Sequence, residues 1–261
     1  MTRTRPVDVR MLGSLRVRRA DGSDVLADEW RTKKTRDLLR LLALAHGQPV
    51  RVSTLLDRLW PNATENAARN RLRTAASQIR RTMQDSTCLV RESDSLRLQH
   101  ANVDVSTFRA LAQRADLASR IGASSEVLDS VRTAQLLYRG DFHADNDDSA
   151  WAVEERSNLQ KIHQDLLCDG AVAALDLGLS REALGLASHT VQLDPTSETA
   201  HRALMQAHAE LGEVATALRV FETYRMNLAD ELGVDPSPQT MALHLRLLRG
   251  DTRQAATSVR R

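Results

Sequence analysis

Apolar residues recur at every second position near the start of the chain and at every third or fourth position thereafter. Val7, Val9 and Met11 alternate with Asp8 and Arg10, Gly13 breaks the run, and Leu15 and Val17 alternate with Arg16 and Arg18. A period of two predicts short strands with one buried face. Asp21-Gly22 is a turn signal ahead of Val25-Leu26. From Thr35 to His46 the period changes, and Leu38, Leu41, Leu42 and Ala45 fall on one side of a helix. Gly47 stands where a C-terminal cap belongs, and Pro49 follows it. A shorter helix is predicted after Ser53, a good N-cap, with Leu55, Leu56 and Leu59 inward, Trp60 at its end and Pro61 as its stop.

The loop Pro61-Asn62-Ala63-Thr64 leads into a third helix, predicted over 65–83. Leu72, Ala75, Ala76, Ile79 and Met83 fall within a narrow arc of its wheel. Asn66, Asn70, Arg73, Thr74, Ser77 and Arg81 point the other way, with Gln78 on the flank. This outer face carries forked donors and short polar groups and no acid. Arginine matches the O6/N7 edge of guanine in the major groove, and Asn or Gln the N7/N6 edge of adenine. Asn70, Arg73, Thr74, Ser77 and Arg81 are therefore the candidate base readers, while Arg69, Arg71 and Arg80 flank the stripe as candidate phosphate contacts. Leu89-Val90, a polar tip at 91–95, and Leu96-Arg97-Leu98 read as a hairpin, which places Arg91 and Arg97 on it as further phosphate candidates. Strands, three helices and a hairpin, in that order, describe a winged helix-turn-helix.

Charge sharpens this division. The 261 residues suit two domains and carry a formal net charge of only +2. Residues 1–100 hold 20 basic and 11 acidic side chains, whereas residues 101–261 hold 16 and 23. A basic module followed by an acidic one implies different partners for each. With only 8 aromatic residues, the chain lacks the rings that readers of single strands use as stacking platforms. Cys88 and Cys168 fall in different halves, so a disulfide scaffold is not expected. Leu38 to Ala45, the most apolar stretch, is interrupted by Arg40 and is too short to span a bilayer, and the start, with Arg3, Arg5, Arg10 and Arg16 but no apolar run behind them, is not expected to act as a signal peptide. The expected setting is the cytoplasm, with no membrane partner.

Beyond Val103 the pattern is helical almost throughout, and it repeats. Leu177-Gly178 with Ala183-Leu184 recurs as Leu211-Gly212 with Ala217-Leu218, a shift of 34 residues. A fainter copy begins at Gly122, with Val127-Leu128 at the same offsets. A glycine turn followed five residues later by a small residue, at that period, is the tetratricopeptide pattern. Pro195 stands where such a repeat ends its second helix, whereas the next copy has Ala229 there. No single hairpin can bury its apolar face alone, so the hairpins must stack.

Two sets of motifs carry a resemblance to a known family. Trp30 to Leu39, Leu55 to Pro61, Ala67 to Arg73 and Gln78 to Arg81 resemble the OmpR-type winged helix of the SARP activators, the Streptomyces antibiotic regulatory proteins. Tyr138 to Phe142 with Asp147, Asp148 and Trp151, and Asp230 to Pro238 with Thr240 and Leu243, resemble the middle and end of the bacterial transcriptional activator domain. At the wing many relatives have a Gly-Tyr pair where this chain has Ser95-Leu96. The resemblance implies a mainly α fold with a small β contribution: a winged helix-turn-helix over 7–103 and tetratricopeptide-like repeats over 104–250; the tail over 251–261, with Arg253, Arg260 and Arg261, is expected to be disordered. The resemblance also implies a transcriptional activator that binds directly repeated promoter sequences in double-stranded DNA, as a homodimer on DNA, and recruits RNA polymerase holoenzyme. Pro61, Asn62, Thr64 and Glu65 would form the polymerase contact loop. Lys33, Lys34 and Arg36, within the first matching stretch, join the phosphate candidates.

Other chemistry finds little support. There is no Gly-x-x-x-x-Gly-Lys-Ser/Thr loop and no nucleophile elbow, so no enzyme is expected and no cofactor is called for. Asp141, His143, Asp145, Asp147 and Asp148 form an acidic run, but Ala150 and Arg156 replace the Gly and Glu that a calcium loop requires, and no metal is expected. His163, His201, His208 and His244 lie on separate helical segments and read as packing or surface residues. The alternative function is a tetratricopeptide-like protein-interaction scaffold without specific DNA binding, its basic helix merely a solvated face.

Overall fold

The computed structural model describes residues 5–142 and 149–250. In chain order the elements are β1 (Val7–Arg10), β2 (Arg16–Arg18), α1 (Lys33–Leu44), β3 (Val50–Arg51), α2 (Val52–Leu59), α3 (Glu65–Met83), β4 (Leu89–Glu92), β5 (Ser95–Leu98), β6 (Ala101–Val103), α4 (Asp104–Arg120), α5 (Ser124–Leu137), α6 (Ala150–Asp176), α7 (Ser180–Leu193), α8 (Glu198–Glu210), α9 (Val214–Leu232) and α10 (Pro238–Leu248). Two compact units result. One comprises the residues up to Ala110 together with Leu137–Leu159, the other Leu111–Leu136 and the residues from Gln160 onward. The described residues of 137–142 and 149–159 group with the first unit, whereas their place in the sequence is within the acidic half.

In the first unit, β1 pairs antiparallel with β2 and parallel with β6, giving the order β2-β1-β6. The alternating residues Val7, Val9, Met11 and Val17 are buried as the period of two requires. Helix α1 begins two residues before the expected Thr35, because the Thr32 hydroxyl accepts the Thr35 N–H at 3.1 Å and caps the first turn. It is buried nearly all round. Even Arg40 is only 1% exposed, and its Nη1 donates to Asp37 Oδ1 at 3.1 Å within the same helix. At its far end His46 is the first residue to turn left-handed, with φ of 53°, ahead of Gly47 at 77°.

Helix α2 is not capped by Ser53, which lies inside it. The cap residue is Arg51, whose side chain makes no capping bond. The reason is tertiary. Strand β3 holds the backbone extended through Arg51 by pairing with β5, and the Val52 N–H is satisfied by Asp94 O of the hairpin at 2.8 Å. The hairpin β4–β5 with β3 on its open edge forms the wing, in the order β3-β5-β4. Phe142 and Trp151 close this unit. Phe142 is fully buried, bridges to Leu12 and Gly13, and meets Trp151 edge to face at 6.3 Å.

The second unit is a stack of helical hairpins. At Gly122, Gly178 and Gly212 the backbone has φ of 71°, 72° and 83°. Each glycine N–H reaches the carbonyl three residues back, and the next N–H reaches the carbonyl five back. This is how a left-handed glycine closes a helix end without leaving carbonyls unpaired. Ala183 and Ala217, at the same offset after two of these turns, are fully buried where paired helices approach. Helix α7 stops before Pro195; α9 continues past Ala229 to Leu232 and ends at Gly233, again with positive φ. Met205, Ala209, Ala217, Phe221, Leu243 and Leu247 form the core between α8, α9 and α10.

The histidines here serve packing. His163 and His201 are buried, His201 stacks on Tyr224 at 4.4 Å, His244 stacks on Phe221 at 3.8 Å, and His208 pairs with Glu213 at 2.7 Å. Both cysteines are free thiols, and burial pushes Cys88 up to about 12 and Cys168 up to about 11, which leaves neither as a ready nucleophile at neutral pH. Of the acidic run, His143, Asp145, Asp147 and Asp148 lie outside the described residues, as does the tail 251–261. Asp141 accepts the Tyr138 hydroxyl at 2.8 Å.

Candidate nucleic-acid interface

The two faces of α3 separate as the wheel requires. Ala68, Leu72, Ala75, Ala76, Ile79 and Met83 are buried. Asn66, Asn70, Arg73, Thr74, Ser77 and Arg81 are exposed, as is Arg71. Neighbouring groups steady this face: Arg73 donates to Asn70 Oδ1 at 2.8 Å, and the Thr74 hydroxyl donates to the Asn70 carbonyl at 3.1 Å. Gln78 is drawn aside. Its carbonyl oxygen accepts the Thr35 hydroxyl at 2.6 Å and ties α3 to α1.

The last turn of α3 is held by Arg19, which no motif in the sequence marks. Arg19 is 7% exposed; its Nε donates to the Thr82 carbonyl at 2.7 Å, and the same guanidinium pairs with Glu29. A cation against the helix C-terminal carbonyls complements the helix dipole. The signal was present in the alternation, since Arg19 follows buried Val17 at the inward position of its strand period.

Two candidate phosphate residues turn out to join α3 to the wing. Arg80 is half-buried, and its Nη2 donates to Leu89 O of β4 at 2.8 Å. Arg69 pairs with Glu65 at 2.8 Å, one turn earlier on α3, and with Asp94 at the wing tip at 3.2 Å. On the wing itself, Arg97 pairs with Glu92 at 2.7 Å, whereas Arg91 is exposed and touches only the Ser93 carbonyl at 3.5 Å. Lys33, Lys34 and Arg36 stand in the first turn of α1, which has no acid to offset the positive end of the helix. Pro61, Asn62, Thr64 and Glu65 are all exposed before and at the start of α3.

The resulting surface presents donors, planar guanidinium groups and positive charge to solvent, with its acids confined to the edge. Among the described residues no group of three or more His, Cys, Asp and Glu is placed to hold a metal ion, and no helix is long and apolar enough to cross a membrane.

Comparison with known proteins places the chain. Residues 103–248 match the model of the bacterial transcriptional activator domain. Over 243 residues the chain is 29% identical to the regulatory protein AfsR of Streptomyces griseus, a match that covers 92% of this chain and 24% of the relative. The chain therefore spans about a quarter of the length of that protein. It is 28% identical to the regulatory protein DnrI of Streptomyces peucetius, covering 94% and 93% of the two chains. Among solved structures, EmbR of Mycobacterium tuberculosis superimposes with a TM-score of 0.80 at 23% identity, over 94% of this chain and 65% of that one. That likeness supports the fold: a winged helix-turn-helix followed by tetratricopeptide-like repeats. The family is one of transcriptional regulators, not of enzymes.

Proposed function

We propose that this chain, which belongs to the bacterial transcriptional activator domain family, is a sequence-specific activator that binds double-stranded DNA through an OmpR-type winged helix. The observation that carries the reading is the exposed face of α3, free of acid from Asn66 to Arg81 and fixed in direction by Arg19, Arg69 and Arg80. A helix so clamped can enter a major groove without paying to be ordered first. Asn70, Thr74, Ser77 and Arg81, with Arg73 beside them, face the base edges. Lys33, Lys34, Arg36, Arg71 and Arg91 supply the phosphate attraction, to which Arg69, Arg80 and Arg97, each held by a partner, add their charge.

The functional division follows 7–103 for DNA and 104–250 for protein contacts. The exposed loop of Pro61, Asn62, Thr64 and Glu65 meets RNA polymerase, and two copies bind a direct repeat head to tail in the cytoplasm. Selection of bound duplexes from a random pool, followed by footprinting, tests this. The expected result is an enriched direct repeat, with Arg81→Ala losing about 1–3 kcal/mol on the selected site and little on random duplex. Recovery of no sequence preference would favour the protein-interaction scaffold instead.

A further inference from the structure

Where α3 faces the wing, a pocket of about 120 Å³ opens, lined by Arg69, Arg73, Arg80 and Arg91 over an apolar floor that includes Val52 and Leu96. Four arginine side chains line it, and among them only Arg69 pairs with carboxylates. Arg80 gives a hydrogen bond to a backbone carbonyl, Arg73 to an amide oxygen and Arg91 to a backbone carbonyl. Neutral acceptors do not cancel their charge. Cations that line one recess and lack carboxylate partners favour an anion there. Arg69 and Arg80 are spent in part on holding the two ends of the wing, which leaves Arg73 and Arg91 to reach a ligand from opposite walls.

The lining also restricts which anion. Free inorganic phosphate would pair with the arginines but would lose hydration against the apolar floor with no apolar part of its own to cover it. A phosphodiester presents charged oxygens on one side and sugar carbons on the other, and so matches both parts of the lining.

We propose that the pocket between α3 and the wing seats a single phosphodiester of a nucleic-acid backbone, gripped jointly by Arg73 and Arg91. This rests on the DNA-binding reading and reassigns Arg73 from base edges to the backbone. The shared chemistry is a phosphate ester, and a mononucleotide is the other source.

The test uses the full chain with a random-sequence duplex, measuring affinity against salt for Arg73→Gln, Arg91→Gln and the double variant, with Arg225→Gln in the repeats as a control. Each phosphate neutralised contributes about 0.9 to the log–log slope. Because both arginines serve one phosphate, the double variant loses about 0.9 in slope, and Arg73→Gln weakens selected and random duplexes by the same factor. A loss near 1.8 in the double variant means two separate phosphates and overturns the proposal. So does an unchanged slope, or a loss by Arg73→Gln confined to the selected site. In a second arm, thymidine monophosphate is tested as a thermal stabiliser. If the chain binds no duplex but the nucleotide raises the melting temperature of the parent and not of the double variant, the pocket stands and the DNA reading falls. If neither ligand responds to the variants, the pocket assignment falls.

Discussion

Replacing Asp104 with alanine should unlock the start of α4 from the two residues that follow β1. The Asp104 carboxylate accepts the Met11 N–H at 2.8 and 2.9 Å, the Leu12 N–H at 3.0 Å and the Val105 N–H at 2.8 Å. Met11 and Leu12 are 1% and 3% exposed, so water cannot readily replace the lost acceptor. Each buried donor left unpaired costs roughly 1–3 kcal/mol. Removing a partly desolvated carboxylate returns some of this, since burial already pushes the Asp104 pKa above the ordinary carboxylate value. A net loss of about 3 kcal/mol follows, equivalent to a fall of roughly 10 °C in the melting temperature of a unit this size. Asp104→Asn keeps one acceptor oxygen and should lose about half as much.

The assay is urea unfolding of the full chain by tryptophan fluorescence. Trp30, Trp60 and Trp151 all belong to the first unit, so the signal reports that unit alone. A displacement of the midpoint by less than the equivalent of about 0.5 kcal/mol in the alanine variant would refute the reasoning, because surface substitutions away from such features reach that much. Equal losses in the alanine and asparagine variants would refute the hydrogen-bond account specifically.

Two further outcomes are expected. Burial holds His201 below the usual histidine value, so the unfolded chain takes up its proton first; the stability of the repeat unit is complete above about pH 6.5 and declines as the pH falls through the folded value. Helical melts at pH 7.5 and 5.5 should differ by more in the parent than in His201→Phe, and an identical pH dependence in the two would remove this role. Gly178→Ala and Gly212→Ala each place a side chain on a left-handed backbone and should cost about 1–2 kcal/mol apiece; circular dichroism melts that leave either variant as stable as the parent would contradict the shared turn geometry.

The parts legible in the sequence are those with a local period. Helix α3 spans the residues the wheel assigned, because a 19-residue amphipathic segment repeats its own evidence at each turn. The 34-residue recurrence is likewise legible, because a left-handed turn admits few residues other than glycine and a close helix pair few larger than alanine. Elsewhere the pattern was silent or misleading. Ser53 looked like a cap, but its place had been taken by a strand pairing from residue 96. Arg40 looked like an interruption in an apolar run, and is instead buried at the centre of the unit beside Asp37.

By itself the sequence determined the class of the protein: a basic helix with one acid-free face, an acidic repeat array, and the order in which they come. Periodicity and composition suffice for that, since each residue votes on its own surroundings. Only the tertiary structure decided which positive charges are available. Arg19, Arg69, Arg80 and Arg97 are engaged in holding α3 and the wing, while Arg73, Arg81 and Arg91 are presented outward. It also decided that β6 pairs with β1 from about ninety residues away, and that the described residues of 137–142 and 149–159 group with the first unit. Contacts between distant segments leave no local period, because the acceptor or cavity that each side chain meets is built by residues that its neighbours in the chain cannot report.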